Sequence, residues 1–352
     1  MGISSVLGSS ALLPGGLGFR NLIMNGDMRI NQRGFTSSVG FSSYPYDRWV
    51  FNYSAVATVT AATSTDVPTG SPFAGSILLT NGSSSSGLAA ATCWIEQRIE
   101  GSNCRSLGWG TSEAKPIVVS FWVKSSVTGS FGVSILGGAV SAERGYATTY
   151  TVNAANTWER KVVSIPGDIS GTWEYGNAKG VTLRFYLDRN PTNDGQANVW
   201  RSTTTASTSH TNFLDTASAT FRLTGVQLEQ NYQDTPFELR PIGLEEILCR
   251  RYYQIWSNTS NTNFMSIGNQ IYSNPISLSV PMRPLTTTST TYVATIYAQS
   301  TSYSINSLAV TVFDASRPHY FTLSGTFSGS WNYSWPLCTF NAHTCTFDSE
   351  FS

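Results

Sequence analysis

Charge is what this 352-residue sequence has least of: Asp, Glu, Lys and Arg together make up 12% of it, about half of the roughly 25% usual in soluble domains. The 21 basic and 21 acidic residues cancel, so no net field gathers nucleic acid or an anionic membrane surface. Neither partner is expected. Histidine is scarcer still, with only His210, His319 and His343. Each sits alone among Thr, Ser, Pro or Asn, so the three read as solvated side chains without the converging partners that acid–base or metal chemistry needs. The five cysteines (Cys93, Cys104, Cys249, Cys338 and Cys345) contain no CxxC pair, which excludes a zinc site or dense disulfide framework by spacing. Pairing of Cys93 with Cys104, or of Cys338 with Cys345, stays open beside buried, reduced thiols. No apolar run reaches the roughly 18 residues of a membrane span. Nor is there a nucleophile elbow, phosphate loop or His-Glu-x-x-His, and catalytic residues are not expected.

What fills the gap is Ser, Thr, Asn and Gly, giving a polar but uncharged surface. With net charge near zero there is little repulsion between copies, which suits a life inside an assembly. The length predicts two modules, with a single large β-sandwich as the alternative. Residues 1–19 are Gly, Ser, Leu and Ala broken by Gly8, Pro14, Gly15 and Gly16, with no basic start. They read as an anchoring arm, with Leu7, Leu12, Leu13 and Leu17 as its grip, and not as a signal peptide.

From residue 20 the period changes to that of strands. Lys161–Ile165, Val181–Leu187 and Phe221–Leu228 alternate apolar and polar, while Ile77–Leu79 is a continuous apolar run and Ile117–Val123 is apolar but for Ser120. Such runs, separated by Gly- and Asn-rich breaks, predict an all-β fold: a jelly-roll β-sandwich over 20–242. A short linker helix is predicted within 243–256, because Leu244, Ile247, Leu248, Tyr252 and Ile255 share one helical face. The thirteen residues Leu244–Trp256 cannot hold a helix alone in water, so it must pack on a domain or on copies of itself. Alternation resumes over 276–280, 292–297, 308–313 and 320–323, predicting a second, C-terminal β-sandwich over 257–352.

Aromatic rings are the residues most able to carry a binding function. Trp331, Tyr333 and Trp335 are spaced by two, so a strand places them on one face, with Tyr320 a hairpin earlier. Flat rings in a row stack on sugars or fill an interface equally well; Trp173, Tyr175 and Trp200 pose the same choice in the first module. In Tyr46-Asp47-Arg48-Trp49 the opposite charges read as an ion pair at the edge of a core, with Arg98, Arg222 or Arg240 as further partners from elsewhere.

Several segments taken in order resemble tail-fibre and virion structural proteins of tailed bacteriophages, especially those of cyanobacteria. They are Asn21-Leu22-Ile23-Met24-Asn25-Gly26-Asp27-Met28-Arg29-Ile30-Asn31-Gln32-Arg33-Gly34, Tyr46-Asp47-Arg48-Trp49, and Val119-Ser120-Phe121-Trp122-Val123-Lys124-Ser125-Ser126. Then come Phe221-Arg222-Leu223-Thr224-Gly225-Val226-Gln227-Leu228-Glu229, Thr235-Pro236-Phe237-Glu238 and Cys249-Arg250-Arg251-Tyr252-Tyr253-Gln254. The resemblance implies a jelly roll similar to carbohydrate-binding modules and a distal module, in a homotrimeric fibre that attaches a virion to host surface glycan. Trp331, Tyr333, Trp335 and Tyr320 are then the expected glycan platform, and the arm the contact to a phage tail or baseplate protein. Assembly in the bacterial host cytoplasm follows. Some relatives of that jelly roll hold calcium, but the closing strand here lacks their paired aspartates, so no metal near Asp27 and no cofactor is expected. The rival readings are a capsid-bound head fibre or decoration protein and a glycan-degrading tail enzyme.

Overall fold

The computed structural model describes residues 19–39, 43–53, 59–84, 92–138, 142–188, 195–203, 208, 210–258, 262–267, 270–273, 276–277, 279–282, 295–298, 301–312, 320–327, 338–340, 343–348 and 350. Beyond residue 254 side chains are described only at 279–282 and 350. The chain divides into two compact units: one of 1–28, 37–43 and 51–239, the other of 29–36, 44–50 and 240–352.

The first unit is a β-sandwich. One sheet, sheet A, runs β1 (Ser37–Val39), β4 (Val59–Ser64), β5 (Ser76–Asn81), β13 (Thr220–Glu229), β7 (Ile117–Ser125) and β10 (Glu159–Ile165). The facing sheet, sheet B, carries β12 (Trp200–Ser202), β9 (Arg144–Val152), β8 (Gly129–Gly137), β11 (Lys179–Asp188) and β6 (Cys93–Glu100) in that order; β3 (Trp49–Tyr53) and β2 (Ser43–Tyr46) follow in the strand order, with residues 44–46 and 49–50 counted in the second unit. The strands expected at 117–123, 161–165, 181–187 and 221–228 are all present. Period two sorts their side chains. Phe121 and Phe221 of sheet A and Phe131, Tyr150 and Phe185 of sheet B point inward and are buried. Phe121 meets Phe185 and Tyr150 edge-on at 4.8 Å each, the geometry aromatic pairs prefer.

The segments that carry the resemblance build polar knots inside each unit. In the first unit Asn21 ties the opening segment to β13: its Oδ1 accepts from the Ile23 and Leu228 amides, and its Nδ2 donates to the Val226 carbonyl. Glu238 accepts from the amides of Arg20 and Asn21, while its own amide donates to Gln227 Oε1 at 2.8 Å. Gly26 is required here, because a Cβ would collide with the Val226 carbonyl oxygen. Gly225, at φ 58°, turns the bulge in β13 against the Phe73 ring.

In the second unit Arg33 lies over the rings of Tyr44 and Tyr253, 4.3 and 3.8 Å from their centroids, and 3.6 Å from Asp47. Arg48 stacks on Tyr252 at 3.4 Å and pairs with Glu350. The charges of Tyr46-Asp47-Arg48-Trp49 are thus paired, but with Arg33 and Glu350. Arg98, Arg222 and Arg240 each meet a different acid: Glu96, Asp66 and Glu245. Burial raises the Asp47 carboxyl and lowers the Arg48 guanidinium from their ordinary values.

The linker helix, α1, spans Ile242–Arg250 and is shorter than the window read from sequence. β14 begins at Tyr253 and pairs with β22 (His343–Asp348), because Tyr253, Ile255 and Trp256 suit a strand better than a helix. The expected apolar face is also not the buried one: Glu245 and Cys249 face inward. The remaining sheet runs β16 (Gln270–Ser273), β15 (Thr262–Ile267), β21 (Cys338–Phe340), β18 (Thr295–Ala298), β19 (Thr301–Val312), β20 (Tyr320–Phe327) and β17 (Ile276–Ser277). β16 also pairs with β20, so this sheet returns on itself. Among the described residues no helix is long and apolar enough to cross a membrane.

Candidate binding face on the sandwich

The outward residues of the two sheets make two different surfaces. On sheet B, Glu96 is completely buried. Its carboxylate accepts from Arg98 Nε (2.9 Å), Arg184 Nε (2.6 Å) and the Trp94 indole (3.0 Å). Arg184 also donates to the Tyr186 hydroxyl at 2.8 Å and lies 4.7 Å from the Trp94 ring centroid. Burial would push the Glu96 carboxyl up, but Arg184 and Arg98 outweigh it and hold the group below the usual carboxylate range. His210 closes one end. It is buried, not solvated as its loop composition predicts, because Gly132 leaves room for the imidazole beside Tyr186. These groups are spent on one another, and little of them faces solvent.

Sheet A is open. In β7, Phe121 and Val123 point into the core, so Trp122 and Lys124 point out; both are half-buried. Register places Arg160 and Thr224 on either side of Trp122, and Arg222 beside Lys124. Val162, across from Ser120, is 43% exposed. Asp66, from the loop after β4, ties the face together. Its carboxylate accepts from Lys124 Nζ (2.9 Å) and from the Trp158 indole (2.9 Å), with Arg222 Nε at 3.3 Å. Burial works against the charge of Asp66, but the bonds from Lys124 and Trp158 and the cations of Lys124 and Arg222 prevail and lower its pKa. Arg160 pairs with Asp234 at 2.6 Å. Two half-buried indoles, an accessible carboxylate and flexible cations on one sheet face are the elements that stack on and hydrogen-bond to a flat polar ring.

The sequence-predicted platform is placed only in part. Tyr320 opens β20 opposite Ser277, whereas Trp331, Tyr333 and Trp335, like Leu7, Leu12, Leu13 and Leu17 of the arm, lie outside the described residues. Trp173, Tyr175 and Trp200 do come together, with Trp109. Trp109 lies 4.6 Å from Trp173 and 5.2 Å from Trp200, and all three indoles donate to backbone carbonyls. Tyr175 donates to the Trp109 carbonyl. This is a packed cluster, with Trp173 only 7% exposed, so the core alternative holds for it. Trp122, Trp158 and Asp66 were missed. The alternation of Phe121, Val123 and Lys124 is the signal that puts Trp122 outside; nothing local ties Asp66 to it.

In the second unit a pocket of about 260 Å³ is lined by Gln32, Arg250, Gln254 and Ser279. Ser279 already donates to Gln254 at 2.8 Å and accepts from Arg250 at 3.3 Å. Cys93 and Cys104 are buried free thiols and Cys249 is buried as well, and burial first, with Glu100 second, pushes Cys104 up to about 12. Among the described residues no group of three or more His, Cys, Asp or Glu is placed to hold a metal ion.

The sequence matches no protein-family model and no curated protein. Among solved structures the chain is similar to the enzymatically active domain of tailspike protein 4 from bacteriophage CBA120, at 14% identity and TM-score 0.33. That match covers 60% of this chain and 21% of the tailspike chain, so this chain spans about a fifth of it. A family 11 carbohydrate-binding module from Clostridium thermocellum matches at 11% identity and TM-score 0.29, over 57% of this chain and 99% of the module. A putative sugar-binding protein from Bacteroides thetaiotaomicron matches at 12% and 0.32, over 60% of this chain and all of that one. Such values transfer neither ligand nor activity.

Proposed function

We propose that the chain is a bacteriophage virion structural protein, a subunit of a homotrimeric tail fibre that binds host cell-surface glycan and catalyses nothing. The observation that carries the binding part is the open face of sheet A, where Trp122 and Trp158 flank the Asp66–Lys124–Arg222 cluster. Indole faces take the apolar face of a pyranose ring, and Asp66 accepts from its hydroxyls. The virion part is supported by the ordered segments between Asn21 and Gln254 and by the low-charge, hydroxyl-rich composition. Trimerisation multiplies a weak single site by avidity. The arm at 1–19 is the attachment to the tail, the module at 257–352 is a second contact to the receptor, and the particle assembles in the host cytoplasm.

The test is binding of the full chain to intact host cells, competed by purified surface polysaccharide. Saturable binding that soluble polysaccharide displaces is expected, together with no release of reducing sugar. Absence of binding to every host envelope tried would overturn the glycan reading, and sugar release would overturn the non-catalytic one.

A further inference from the structure

Helix α1 faces the wrong way for a helix that packs only on its own unit. Its buried positions are Glu245 and Cys249, one turn apart; Arg240 holds Glu245 at 3.4 Å, with both side chains 4% exposed. Ile247, two residues from each, projects from roughly the opposite side at 100° per residue, and is 50% exposed. Leu244 and Leu248 flank it, both half-buried, and Ile242 in the first turn is 51% exposed. The ridge of the stripe that ordinarily faces a core, Ile247, is therefore turned to solvent, with Leu244 and Leu248 on its half-buried flanks. The helix has nine residues, and Pro241 provides no side-chain cap. Intrahelical bonds alone do not hold so short a helix, so contacts on both of its sides matter.

We infer that the Leu244–Ile247–Leu248 stripe is a contact between copies of this chain, an inference that rests on the proposed homo-oligomer and assigns it a surface. The rim favours a second copy over an unlike partner. Glu246 and Arg250 stand beside the stripe, 3.6 Å apart and 44% and 40% exposed. Identical helices packed side by side offer the acid of one to the base of the next, as flanking charges do in coiled coils. With 21 charges of each sign over the whole chain, no net repulsion opposes the approach. A standard interface covers roughly 800 Å² per partner, more than this helix presents, so the stripe acts as the apolar anchor of a larger contact.

Sedimentation velocity of the full chain over a concentration series, for wild type and Ile247→Glu, tests the assignment. The expected result is an oligomeric wild type and a variant whose dissociation midpoint rises at least tenfold, with unchanged far-UV circular dichroism. An oligomer equally tight in the variant would overturn the role of the helix and leave the oligomer standing; a wild type monomeric throughout would overturn both. Because a charge at this position can also disturb folding, Ile247→Cys supplies an independent reading. Mild oxidation links copies of that variant within the oligomer, whereas the exposed control Ala155→Cys does not link. Failure of the Ile247→Cys variant to cross-link above that control would equally overturn the contact.

Discussion

The two outer faces of the sandwich start from the same material and end as opposites. Each sets tryptophan beside arginine and a carboxylate. On sheet B the carboxylate is Glu96, wholly buried beneath Arg184 and Arg98, and Tyr186 and His210 fill the space around it. On sheet A the carboxylate is Asp66, 35% exposed, held at the rim by Lys124, Arg222 and Trp158. Depth decides what the same groups do. A buried ion pair is fixed by desolvation, and losing one partner is far more costly than the pair is worth. An exposed pair contributes little to stability and can exchange its hydrogen bonds for those of a ligand.

The largest effect that would test this contrast is on stability. Glu96→Ala leaves Arg184 and Arg98 without their carboxylate and is expected to cost about 3–5 kcal/mol, read as a drop in the urea midpoint. A cost near that of a surface substitution would mean that the sheet B face is not closed. Trp122→Ala reverses the pattern. Half-buried on an open face, it is expected to cost about 1 kcal/mol of stability while weakening glycan binding at least about tenfold.

Acid sharpens the comparison further. Glu96 has a depressed folded-state pKa, so its contribution is fully present above its ordinary value of 4.5 and is lost as pH falls through the lower folded value. Stability measured from pH 7 downward should begin to fall below that ordinary value, and Glu96→Gln should flatten this part of the profile. The smallest effect belongs to Asp66→Asn. Its pairs are partly solvated, so the expected loss of stability is below about 1 kcal/mol, while glycan affinity drops with the lost acceptor.

Much of the framework was legible in the sequence because period two is a local signal. Runs such as Val181–Leu187 and Phe221–Leu228 announce strands and their inward faces without further help. The site was less legible. Ile117–Val123 is apolar but for Ser120, so only Lys124, and the register that puts Arg160 opposite Trp122, shows which ring points out. Asp66 meets Lys124, Trp158 and Arg222 across 58, 92 and 156 residues of chain, contacts that folding alone creates. Helix α1 misled for a related reason. Its apolar stripe looks like a core face until Arg240, outside the helix, draws Glu245 inward. The aromatic row Trp331, Tyr333 and Trp335 remains a proposal for the distal module.

The most direct test of the account is calorimetric titration of host surface polysaccharide into three proteins: the wild type, Trp122→Ala and Trp94→Ala. If the open face of sheet A binds glycan, Trp122→Ala loses affinity at near-normal stability, while Trp94→Ala keeps its affinity and melts lower. The reverse pattern, with affinity lost on removing Trp94 and kept on removing Trp122, would contradict it.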